Sequence, residues 1–232
     1  YLSDSLTKKY EGSHKPHLRM CDQVIAPEQL TFIDIVTSSH NHTDHLDGET
    51  LIPLIEKNPE IAMIIPEANR EFVCHRIGKP LSFPLGLNEG ESVTIKGIRF
   101  TGVPAAHNDI ERDEKGKCRF MGYVIEAGGK KIYHSGDTLF YPGMVELLEP
   151  FNIDLAILPI NGNDPSRGVA GNLNSEEAAW LAKSIKAKQT VPCHYDMFRF
   201  NTADVSLFTN VSRKLDVNAH VLSLGEMIDL SE

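Results

Sequence analysis

Between positions 40 and 45 the chain reads His40-Asn41-His42-Thr43-Asp44-His45, four potential metal ligands within six residues. No other stretch constrains the fold as strongly, because such side chains act only if the backbone brings them to one point. The stretch directly follows residues 32–37, Phe-Ile-Asp-Ile-Val-Thr, whose β-branched and aromatic content predicts a buried strand. In extended chain His40 and His42 project to the same side and can grip one ion together. Asp44 and His45 lie past the bend and can face a second ion. Neutral imidazoles with one carboxylate suit Zn²⁺, Mn²⁺ or Fe²⁺. One histidine in a polar loop is usually solvated or hydrogen-bonded, but four ligand-type residues at this spacing point to metal.

Three later positions follow predicted strands in the same way. His107 comes after residues 98–103, in Val103-Pro104-Ala105-Ala106-His107. Asp137 comes after residues 131–135, in Tyr133-His134-Ser135-Gly136-Asp137-Thr138. His194 comes after residues 190–193, in Pro192-Cys193-His194-Tyr195. Taken singly each is weak, since a lone histidine after a strand is more often structural and Ser-Gly-Asp-Thr makes a plain turn. In this order, behind the opening motif, they resemble the H-x-H-x-D-H pattern of the metallo-β-lactamase superfamily over roughly residues 30–200. The resemblance implies an α/β fold, the αββα sandwich of that superfamily, holding two divalent metal ions. His40, His42 and His107 would hold one ion, Asp44, His45 and His194 the other, and Asp137 would bridge them. That fold normally opens with strands ahead of the metal motif. The residues before 32 read poorly as strands and the chain begins with Tyr1, so those strands are expected to lie outside this sequence.

Tyr133-His134-Ser135-Gly136-Asp137, Asn163-Asp164-Pro165-Ser166-Arg167-Gly168 and Pro192-Cys193-His194-Tyr195-Asp196 resemble more closely the L-ascorbate-6-phosphate lactonase-like group. This implies water activated to open a lactone, or a related ester, in a small, anionic, phosphorylated molecule. Asp44 and Asp137 are then the catalytic carboxylates, although Asp137 reads equally as a pure ligand. Arg167 offers a planar fork to phosphate, with Asn163 beside it; the other reading of Arg167 is a solvated loop residue. Tyr195 either donates to the developing oxyanion or packs. His134 reads as a core or supporting histidine, and His14, His17, His75 and His220 have no motif context.

The remaining pattern predicts one domain over residues 1–232, opened by an irregular surface segment, 1–23. Helices are predicted over 48–57 (with Pro53 tolerable only in the first turn), 67–76, 175–187 and 203–213. Asn174 and Glu177 would open the third as a capping box. Strands are predicted at 61–65, 153–160, 219–222 and 226–229, hairpins around Lys96-Gly97 and Gly128-Gly129, and a loop over 107–118.

Composition removes several functions. The formal net charge of -9 disfavours phosphodiester or RNA cleavage, the runner-up on this fold, because a nucleic-acid binder needs a basic stripe. The cysteines form no C-x-x-C pair, which fits a reducing cytoplasm and no zinc finger. No apolar run reaches the roughly 18 residues of a membrane helix. Di-iron redox proteins of this fold carry Glu where this chain has His42. Zinc β-lactamases place Cys where it has Asp137. A non-catalytic metal-binding remnant is the last alternative, and a homo-oligomer is what the family resemblance implies.

Overall fold

Side-chain alternation along two strands dictates the layering. In chain order the elements are α1 (Ser5–Lys9), β1 (Ile35–Thr37), α2 (Gly48–Lys57), β2 (Ala62–Pro66), α3 (Arg70–Ile77), β3 (Pro84–Leu87), β4 (Ser92–Ile95), β5 (Ile98–Pro104), β6 (Met121–Ala127), β7 (Lys130–His134), α4 (Met144–Leu148), β8 (Leu155–Pro159), α5 (Ser175–Ser184), β9 (Gln189–Cys193) and α6 (Val205–Lys214). The computed structural model describes residues 1–168 and 171–230. On β2, Met63 and Ile65 enter a core with Leu51, Leu54 and Ile55 of α2 and Val73 and Ile77 of α3. Ile64, between them, faces the other way and meets Leu87, Phe100, Met121 and Tyr123. On β6, Tyr123 enters that inter-sheet core while Val124 joins the core beneath α5. Two sheets back to back, with helices outside, give the αββα sandwich.

The smaller sheet is parallel, in the order β1-β2-β3; the larger runs β4-β5-β6-β7-β8-β9. Lys96 and Gly97 (φ 51° and 82°) and Gly128 and Gly129 (57° and 77°) carry the left-handed backbone that two-residue hairpins need. Strands β5 and β7 are both antiparallel to β6, so they run the same way, and β8 and β9 continue parallel to β7. Consequently β5, β7 and β9 all end on one edge of the sheet.

Several expectations change. The first strand is only Ile35–Thr37 and half-buried, and Phe32 is 74% exposed, because β1 is an edge strand of a small sheet. Pro53 sits in the second turn of α2, where it has no N–H for the Glu49 carbonyl. Residues 219–222 and 226–229 form no strands; the contact there is a single bridge, Thr190 to Ala219. Strand β3 was hidden by its Pro84 and Gly86. The 1–23 segment contains α1 and is tied down. Ser3 and Ser5 donate to Asp47 at 2.6 and 2.7 Å, and Leu6 is buried.

Candidate metal centre

Each ligand leaves a strand end, and the backbone fixes where it goes. The opening motif is pinned to the larger sheet: Met121 N–H donates to the Ser39 carbonyl at 3.0 Å, and the Tyr123 hydroxyl donates to the Ser38 carbonyl at 2.8 Å. Gly136 lets the Asp137 turn nestle against it. At φ +61°, a Cβ there would lie 2.8 Å from Ser39 Cβ and 2.9 Å from the Met121 carbonyl, so no larger residue fits. His194 itself sits in the left-handed region, φ 61°, a conformation that non-glycine residues hold mainly where function requires it.

The structure brings these seven residues together in three overlapping groups. One ligand atom each from His40, His42 and His107 lies within 4.8 Å of the others, and the same holds for Asp44, His45 and His194 and for His40, His45 and Asp137, an imidazole nitrogen from each histidine and a carboxylate oxygen from each aspartate. Asp137 straddles the triads. Its Oδ1 is 3.2 Å from His45 Nε2, and its Oδ2 is 3.3 Å from His194 Nε2 and 3.7 Å from His107 Nε2. Asp44 Oδ2 lies 3.3 Å from His45 Nε2 and 3.5 Å from His194 Nε2.

This donor set fits divalent cations. Ligand atoms about 2.0–2.1 Å from a tetrahedral ion stand about 3.3 Å from one another, close to the spacings here. His40 Nε2 and His45 Nε2 are buried without a hydrogen-bond partner, although the carboxylates are near His45. They converge on a point rather than on each other. The far side of the rings is supported. His107 Nδ1 is 3.0 Å from the Gly171 carbonyl, so Nδ1 carries the proton and Nε2 the free lone pair. Ser39 Oγ lies 3.0 Å from His40 Nδ1 and 3.2 Å from His45 Nδ1 and can accept from both.

The electrostatics follow from burial and neighbours. Burial holds His40 well below the usual imidazole range. Burial opposes charge on His45 too, but Asp137 and Asp44 outweigh it and lift it to about 9; His194 is raised for the same reasons. Burial would push Asp137 and Asp44 up, yet the imidazoles of His194 and His45 hold both carboxyls well below their usual range. A buried carboxylate, Asp137, and a half-buried one, Asp44, therefore stay ionised and call for cations, and a metal binding there would release protons from the histidines.

The centre opens into a cavity of about 700 Å³, a size suited to a small molecule. Tyr195 lines it beside His194. His134 lines it too, with Nδ1 accepting from Gly136 N–H at 3.0 Å, and burial pulls its pKa down to about 4. Arg167 and Asn163 are placed elsewhere. The Arg167 guanidinium donates to the carbonyls of Asn161 and Gly162 and to Asn201 Oδ1, at 2.7–2.9 Å, stapling its own loop. The Asn163 side chain packs against Gly171. What the motif reading missed is the roof: Tyr10, His17, Phe198 and Phe200 all line the cavity, and Lys9 is a cation at its mouth. Only Ser39, adjacent to the motif, carried a readable signal. Among the described residues, no helix is long and apolar enough to cross a membrane.

Comparison with known proteins gives the same picture. A family model described as "Beta-lactamase superfamily domain" matches residues 12–195. A UPF0173 metal-dependent hydrolase of Methanoculleus marisnigri is 30% identical over 202 residues, covering 85% of this chain and 82% of the relative. A second, from Methanoregula boonei, is 31% identical over 201 residues, with the same coverage. Among solved structures, Igni18, a metallo hydrolase from Ignicoccus hospitalis, superposes with a TM-score of 0.67 at 21% identity, over 98% of this chain and 84% of that one.

Proposed function

Because the chain belongs to the β-lactamase superfamily domain family, and within it to the UPF0173 metal-dependent hydrolases, we propose that it opens lactones or cleaves related esters in small anionic molecules with a pair of divalent cations, Zn²⁺ or Mn²⁺. His40, His42 and His107 would hold one cation, and Asp44, His45 and His194 the other. The observation that carries this reading is Asp137, whose carboxylate reaches both triads, with Oδ1 beside His45 and Oδ2 beside His194 and His107. Cations held there would supply Lewis acidity, making water a better nucleophile near neutral pH and polarising the ester carbonyl. The protein's own groups do the rest. Asp137, buried, and Asp44, half-buried, stay ionised and both lie beside His194 Nε2, so they would orient the attacking water and receive its proton. The Tyr195 hydroxyl, on the wall beside His194, donates to the carbonyl oxygen as negative charge builds there. Both terminal nitrogens of Arg167 are bonded to its own loop and it does not line the cavity, so the anion of the substrate falls to Lys9, whose ammonium lies 3.3 Å from Thr43 Oγ1 in the motif.

The test is a hydrolysis panel of lactones, phosphodiesters and thioesters, run on protein loaded with Zn²⁺ or Mn²⁺ and assayed for bound metal. Turnover of lactones or simple esters that tracks metal content is expected. Full metal occupancy with no ester or lactone turnover overturns the reading, and preferential phosphodiester cleavage replaces it with the nuclease alternative.

A further inference from the structure

Part of the lining of the cavity is aromatic and has no part in the proposed hydrolytic chemistry. His17 stacks on Tyr10, with ring centroids 4.1 Å apart and planes 16° apart. Phe200 and Phe198 meet His17 in T-shaped contacts, at 4.5 Å and 71° and at 5.1 Å and 72°. All four rings line the same cavity as the metal ligands. Burial lowers the pKa of His17, so at neutral pH this ring is uncharged like its neighbours. Resting on the hydrolase reading above, we propose that this wall selects the substrate: the part of the molecule that does not react carries a flat apolar group, an aromatic ring, held against Tyr10, His17, Phe198 and Phe200.

Three observations support it. The cavity, about 700 Å³, is far larger than a carbonyl and its leaving oxygen, so most of the substrate's volume lies away from the metals. Aromatic faces and edges set at these distances favour another ring in stacked or edge-on contact. The wall is also built in advance, which lowers the ordering cost of binding. Its two halves come from distant segments joined by backbone hydrogen bonds: Met20 N–H to the Met197 carbonyl at 2.8 Å and Arg199 N–H to the Leu18 carbonyl at 3.0 Å.

The experiment keeps the reacting bond constant and varies the remainder. Metal-loaded protein is assayed with γ-phenyl-γ-butyrolactone against γ-valerolactone, and with phenethyl acetate against ethyl acetate. The phenyl member of each pair is expected to be favoured about tenfold or more in kcat/KM, mostly through KM. In Phe200→Ala, a half-buried loop position, that ratio should fall toward one; in Phe32→Ala, a remote exposed control, it should not change. In parallel, NMR line broadening of phenylacetate measures binding without turnover, and binding should weaken about tenfold in Phe200→Ala. Ester turnover with no phenyl preference overturns this inference and leaves the hydrolase reading intact. Phenylacetate binding that depends on Phe200, with no turnover of any ester, supports the inference and strikes the hydrolase reading instead.

Discussion

The cavity has a floor and a roof built on opposite principles. The floor consists of imidazoles and carboxylates at the ends of β1, β5, β7 and β9, each aimed by the backbone, and in His107, His40 and His45 also by a partner on the ring's far nitrogen. The roof consists of aromatic side chains on two segments that belong to neither sheet, residues 1–20 with the short α1 and residues 195–201, tied through a few hydrogen bonds and through Asp47. Metal coordination tolerates errors of only tenths of an ångström, so it is placed on strands. Apolar contact tolerates far more and can be carried by loops, so the roof can change between relatives without disturbing the chemistry below.

Breaking the floor should have the largest effect. Asp137→Ala removes the residue that spans both triads; kcat/KM should fall by about 10³-fold or more, and metal analysis should show fewer ions per chain. Removing the metals with a chelator should abolish turnover reversibly and also lower the unfolding temperature. A ligand present at 1,000 times its Kd stabilises the native state by about 4 kcal/mol, and calorimetry with and without Zn²⁺ reads the difference. Ser39→Ala sharpens the comparison, because it leaves every ligand in place but removes the acceptor behind His40 and His45. A loss of about 10–100-fold in metal affinity is expected, measured by competition with a chromophoric chelator. Unchanged affinity would mean the histidines are aimed by packing alone.

The roof should respond differently. Asp47→Ala deletes the N-cap of α2, which accepts from Glu49 and Thr50 N–H, together with the anchors of Ser3 and Ser5. It should cost about 2 kcal/mol, a fall in Tm of roughly 4–8 °C. Limited proteolysis should cut the 1–20 segment faster while metal content stays constant; loss of metal would show that floor and roof are one unit. The smallest effect belongs to Glu177→Ala, which opens half of the capping box of α5. A cost of about 0.5 kcal/mol, with neither metal content nor turnover altered, sets the baseline.

This division also explains what the sequence made legible. The floor is local pattern: a dense motif, and later ligands each one to three residues beyond a strand whose period and turns are written in Lys96-Gly97 and Gly128-Gly129. The capping box at Asn174 and Glu177 was readable for the same reason. The roof is not local. Nothing around His17 marks it as facing a cavity, because its neighbours Phe198 and Phe200 lie about 180 residues away in the chain. Arg167 misled for the complementary reason. Its chemistry suits phosphate, but three nearby oxygens on Asn161, Gly162 and Asn201 occupy it instead. Strand β3, with a proline and a glycine, is specified by its parallel partner rather than by its own propensity.

The pairing of Arg19 with Phe198 sets an order of assembly. Residues near 19 leave the ribosome about 180 residues before their partner. Closing so long a loop is slow, and synthesis is sequential. The aromatic enclosure of the cavity can close only once residues 198–200 have been made, so the histidines of the opening motif are synthesised before their cover exists.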